Sequence, residues 1–117
     1  MKKKVLVTFL RSPVGTTFYL EGVRIALGIL SGDEEHEVTV AYVGTGVRCA
    51  LKGVERSYSK SLLDLLKKAV VNERFYVERE SLETEGMSEE ELDEGFVAAS
   101  REDLQRAMSS ADVTLSF

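Results

Sequence analysis

The chain has 117 residues, 44% hydrophobic and 30% charged, with one proline and one cysteine. This is the size and composition of a single globular domain, residues 1–117, that buries its own core; it excludes disordered, collagen-like and proline-rich chains, and no apolar run approaches the ~18 residues of a membrane span. The net charge of −5 is uneven, with +4 over residues 1–72 and −9 over residues 73–103, which argues against binding a nucleic-acid backbone and leaves the acidic stretch as a solvated surface or a docking face for a basic partner.

Lys2, Lys3 and Lys4 followed by Val5–Leu10 imitate a signal peptide. The run before Arg11 is six residues, short of the usual apolar region of about 7–15, so it reads as a first strand with a basic lead-in and the expected compartment is the cytoplasm. A lone Cys49 allows no internal disulfide and fits a reducing compartment. Arg11-Ser12-Pro13-Val14-Gly15 breaks the strand, and Thr16 or Thr17 can cap a helix. That helix carries Leu20, Val23, Leu27 and Leu30, with Ile25 and Ile29 widening the stripe, and stops at Gly32-Asp33. Glu37–Val43 is the second strand.

Gly44-Thr45-Gly46 then opens a short helix through Leu51. A better helix starts near Ser57, with Leu62, Leu65, Leu66, Ala69 and Val70 on one face and Lys60, Asp64, Lys67 and Lys68 on the other. Arg74–Glu78 is a third strand, and Ser81–Gly86 a short helix stopped by its glycine. Ser88-x-x-Glu91 and Ser100-x-x-Asp103 have capping-box form and flank a fourth strand, Phe96–Ala99. Leu104, Ala107, Met108 and Ala111 mark the last helix, and Asp112–Phe117 the fifth strand. Strands alternating with helices predict a three-layer α/β fold: a five-stranded, mainly parallel sheet with helices on both faces.

Ligands of such sheets bind beyond the carboxyl ends of the strands, which directs attention to three loops. Arg11, Ser12, Gly15 and Thr16 combine a cation, hydroxyls and a helix start, suited to an anion or to a tight turn. The G-x-x-x-x-G-K-[ST] phosphate loop is absent. Gly44-Thr45-Gly46-Val47-Arg48-Cys49 begins like a dinucleotide fingerprint but has Cys49 at the third glycine position, so both glycines read as backbone freedom at a turn. Cys49 beside Arg48 in the first turns of a helix would be a stabilised thiolate; the alternative is a small buried hydrophobe. Glu78 and Glu80 share a face if the third strand extends to residue 80. His36 has no second His or Cys at ligand spacing, so no metal centre and no cofactor is expected.

The chain resembles the DsrE/DsrF-like family of sulfur-relay proteins, which includes TusC and TusD. The resemblance rests on Pro13-x-Gly15-Thr16 followed by Glu21-Gly22, on Gly44-x-Gly46-Val47, on Ser81-Leu82 with Gly86-Met87, and on the ending Ala111-Asp112-Val113-Thr114-Leu115-Ser116-Phe117. It implies a flavodoxin-like fold, assembly into trimers or hexamers of this chain or with homologous subunits, and a part in passing persulfide sulfur between proteins, with no nucleic acid or membrane contacted directly. In active members the sulfur-carrying cysteine lies eight residues before the glycine of the third segment, a position held here by Glu78, and the acidic residue common between the two glycines of the second loop is Thr45. The resemblance therefore implies a non-catalytic partner subunit, the TusC-like branch having members without the cysteine. A sulfurtransferase using Cys49 and a small-molecule or anion binder using the first two loops are the alternative readings.

Overall fold

The computed structural model describes residues 2–14, 17–32, 35–53, 60–70 and 75–117. Five strands, β1 (Lys4–Phe9), β2 (Glu37–Tyr42), β3 (Phe75–Glu78), β4 (Phe96–Ala99) and β5 (Val113–Ser116), form one sheet in the order β4-β3-β2-β1-β5. Every strand pair is parallel, with Val7 beside Val40 and Leu115, and Glu78 beside Ala99. A flavodoxin sheet sets its first strand between the second and third; here β1 lies between β2 and β5. The chain moves one way through β1 to β4 and returns once, over the other face, to β5.

That path distributes the helices. α1 (Phe18–Leu30), α2 (Lys60–Ala69) and the short α3 (Arg79–Thr84) join the strands on the outward path. Tyr19, Val23 and Ala26 of α1, Leu63 and Leu66 of α2 and Leu82 of α3 pack with Val5, Val7, Phe9, Val38, Val40, Tyr42, Phe75 and Val77 in the main core. The return helix α4 (Arg101–Ser110) covers the opposite face, where Leu104 meets Leu6 and Ala41. The period-2 alternation of strand side chains generates both cores from the same strands. Phe9 stacks on Tyr42 with ring centres 5.3 Å apart and meets Tyr19 edge-on at 4.8 Å, and the two buried tyrosine hydroxyls lie 3.1 Å apart. Aromatic contacts of this geometry add to the apolar area they bury.

Several local expectations shift in the fold. Ile25, assigned to the buried stripe of the first helix, is 42% exposed, because the face that meets the sheet is Tyr19, Gly22, Val23 and Ala26. On α2 the buried ridge is Leu63, Leu66 and Val70, about one residue round from the predicted stripe, so Leu65 and Ala69 face outward. Met108 of α4 is also exposed. Thr17 flanks α1 without a side-chain cap: its backbone is near-helical, and its hydroxyl donates to Glu21 Oε1 at 3.3 Å. Thr16 and Ser57 lie outside the described residues. The Ser88 amide donates to Glu91 at 2.7 Å, and Ser100 Oγ accepts from the Asp103 amide at 3.1 Å, as the capping-box spacings predict.

Two glycines are required by contact. A Cβ on Gly22 would enter the ring of Phe9 and touch Phe117, so α1 lies directly on β1 and β5 only because residue 22 has no side chain. A Cβ on Gly46 would overlap the carbonyl of Phe9, which pins the second loop against the end of β1.

Candidate functional site

The carboxyl ends of β1, β2 and β3 carry three loops that bond to one another. Thr45 Oγ1 donates to the Leu10 carbonyl at 3.1 Å, and Cys49 Sγ to the Arg11 carbonyl at 3.4 Å. The Gly44 amide donates to Ser81 Oγ at 2.8 Å, and Arg48 Nε to Glu85 Oε1 at 2.8 Å. The second loop, folded as a 3₁₀ turn over Gly44–Ala50, is thus fastened to the first on one side and to α3 on the other. Gly44 has φ +61°, a left-handed conformation that favours glycine at the exit of β2.

Glu78 is the central group. It ends β3 and is buried, at 5% exposure. Ser81, three residues on in the first turn of α3, donates to Glu78 Oε1 at 2.5 Å. Arg101, at the start of α4, reaches across from β4 and donates through Nη2 to Oε1 at 3.3 Å and through Nε to Oε2 at 3.4 Å. A buried carboxylate is tolerated where a cation and hydrogen bonds compensate it, and both are present. The expected paired-carboxylate geometry does not form, because the strand stops at Glu78 and Arg79 begins α3. The Glu80 carboxylate instead accepts the Arg101 backbone amide on both oxygens, at 2.9 and 3.0 Å. That backbone hydrogen bond is the main reason the Glu80 carboxyl is held below its ordinary range; the guanidinium of Arg101, bonded to Glu78, has its proton affinity raised. Glu78 and Glu80 together hold the amino end of α4 over the sheet, where a helix favours negative charge.

The remaining predicted site residues are dispersed. The Arg11 guanidinium lies over the Phe18 ring, 4.3 Å from its centre, and Ser12 Oγ accepts the Val14 amide at 3.3 Å, a local turn bond. Gly15 and Thr16 lie outside the described residues. Cys49 is fully buried and is sixth of the seven residues of its turn, so it lies near the end of that turn rather than at its start, with the Arg11 carbonyl of the first loop as its acceptor. Arg48 is turned to Glu85. The thiolate-stabilising arrangement expected from the sequence is therefore replaced by a buried thiol on a carbonyl. Among the described residues no cluster of three or more His, Cys, Asp or Glu forms a metal-binding group, and no helix is long and apolar enough to cross a membrane.

Sequence reasoning missed Arg101 and the bridging role of Ser81. The i, i+3 spacing from Glu78 to Ser81 is a local signal that was available. Arg101 has none, since 23 residues separate it from Glu78.

A family model described as the DsrE/DsrF-like family matches residues 3–117. The chain belongs to this family. Among solved structures, it is similar to the ychN protein from E. coli, with a TM-score of 0.80 and 21% identity over the whole of both chains. It is also similar to MTH1491 from Methanobacterium thermoautotrophicum, a protein of unknown function, at a TM-score of 0.67 and 18% identity, again over both whole chains. These likenesses attest the DsrE-like fold. No curated protein matches the sequence.

Proposed function

We propose that this DsrE/DsrF-like chain is a non-catalytic subunit of a persulfide-relay complex, assembling with itself or with homologous subunits that carry the relay cysteine. The observation that carries the reading is Glu78: the resemblance assigns this position to the sulfur carrier, and here it holds a buried carboxylate bonded to Ser81 and Arg101. A carboxylate has no sulfur with which to attack a persulfide and pass it on. The Glu78 cluster instead fixes α3 and α4 where a partner would meet the carboxyl end of the sheet. Full burial of Cys49 weighs against that thiol as a substitute carrier.

The test is intact-protein mass spectrometry after incubation with cysteine and a cysteine desulfurase, on the native chain and Cys49→Ala. Neither should gain a sulfur-sized mass. A gain on native Cys49 that disappears in Cys49→Ala would make this chain a carrier and overturn the reading.

A further inference from the structure

The parallel strands all start at the end of the sheet opposite the Glu78 cluster, and there the lead-in to β1 is tied down by side chains from both neighbouring strands. On the β2 side, the Lys3 amide donates to His36 Nδ1 at 3.0 Å, and the Lys3 carbonyl accepts from the Glu37 amide at 2.9 Å. On the β5 side, the Lys4 amide donates to Asp112 Oδ2 at 2.8 Å, and the Lys4 carbonyl accepts from the Asp112 amide at 2.8 Å. Each lysine is thus held at its amide by a side chain and at its carbonyl by backbone. His36 and Asp112 sit immediately before β2 and β5, where their side chains stand in as acceptors for strand residues.

The two acceptors answer acid differently. A carboxyl keeps an oxygen that accepts a hydrogen bond whether or not the group is protonated. A histidine nitrogen does not. An Nδ1 that accepts belongs to a neutral imidazole with its proton on Nε2, whereas both nitrogens of the imidazolium are donors. The Lys3 amide and a protonated Nδ1 would meet hydrogen to hydrogen, so that bond cannot survive. Histidine is the side chain whose charge ordinarily changes between about pH 5 and pH 8, and His36 is half-buried, within reach of water. The charged groups that border it are Lys2, Lys3 and Lys4 of the lead-in and Asp112 beyond β1. Its own segment adds Glu35 and Glu37, with Asp33 and Glu34 before them outside the described residues. α1 reaches this segment through Ser31 and Gly32, which carry no charge. The lysines repel a positive imidazole and the acids of its own segment draw it back to β2, so both act against the Lys3 contact.

We propose that His36 is a pH-sensitive clasp on the lead-in to β1: neutral, it fixes Lys3 against β2; protonated, it releases Lys2 and Lys3 while Asp112 keeps Lys4 and the strand in place. The clasp does not depend on the relay reading, because it lies at the far end of the sheet from Glu78. Backbone amide relaxation of the full chain by NMR, at about pH 7.5 and about pH 5, tests it, with the imidazole signals of His36 reporting its charge. The order parameter of the Lys3 amide should fall from about 0.85 to below about 0.6, while Lys4 and Val5–Phe9 keep their values. In His36→Asn the side-chain oxygen takes the place of Nδ1 and does not titrate, so Lys3 should stay ordered at both pH values. In His36→Ala the acceptor is gone, so Lys3 should be mobile at both. A Lys3 amide that stays ordered beside a protonated His36, or is already mobile at the higher pH, would overturn the proposal. So would an imidazole still neutral at the lower pH, a loss of order in His36→Asn equal to that of the native chain, or a loss that spreads to Lys4 and Val5.

Discussion

Replacing Ser81 with alanine removes one oxygen and two hydrogen bonds. Ser81 Oγ accepts from the Gly44 amide at 2.8 Å and donates to Glu78 Oε1 at 2.5 Å, in a residue 5% exposed. A hydrogen bond to a charged group contributes about 1.5–3 kcal/mol, and a buried amide left without an acceptor costs about 1–3 kcal/mol. The Gly44 amide is only partly buried, so water replaces some of its loss. The expected destabilisation is about 2–3 kcal/mol. With an unfolding entropy of about 2.1 cal/mol/K per residue, each kcal/mol corresponds to about 4 °C in a chain of this length, so Tm should fall by about 8–12 °C. Calorimetry and urea unfolding near pH 7 measure this directly. A double-mutant cycle with Glu78→Gln isolates the contact and should show coupling of about 1 kcal/mol or more. A Tm loss below about 2 °C, or coupling indistinguishable from zero, would refute the argument that this hydroxyl ties the second loop to the Glu78 cluster.

The acid limb of stability should carry a mark of Glu80. Its carboxyl is held below the ordinary 4.5 by the Arg101 amide. A depressed folded-state value means its contribution is complete above about 4.5 and fades as pH falls through the folded value. Urea midpoints measured from about pH 6 to about pH 3 should therefore fall less steeply for Glu80→Gln than for the native chain, and parallel curves would exclude the effect. On the second face, Thr8 Oγ1 is buried with no hydrogen-bond partner among the described residues. Thr8→Val keeps the shape and removes the unpaired oxygen, so it should raise stability by about 0.5–2 kcal/mol; a lower urea midpoint would show that the hydroxyl has a partner after all.

The elements were legible because the patterns that specify them are local. Val5–Leu10 and Glu37–Val43 are β-prone runs bounded by turn residues, and β1 and β2 follow them to within a residue. Phe96–Ala99 coincides with β4. Which side of a helix is buried was less legible. Leu20, Leu27 and Ile25 look equivalent in α1 until Gly22 selects the ridge that rests on Phe9. Tyr19 and Phe75 are core residues and Tyr76 is half-buried. Cys49 drew attention as a reactive thiol because its neighbours in sequence favour one, yet the packing of the second loop on β1 buries it.

The sequence by itself determined the α/β class, the family and a glutamate at the end of the third strand, because each is written in residue order and spacing. Tertiary structure alone decided what that glutamate does. Its partner Arg101 comes from the far side of β4, and the Gly44 amide that completes the Ser81 bridge comes from the loop after β2. A charge becomes tolerable in a protein interior only when groups distant along the chain converge on it, and that convergence is set by strand order and register rather than by any local run of residues.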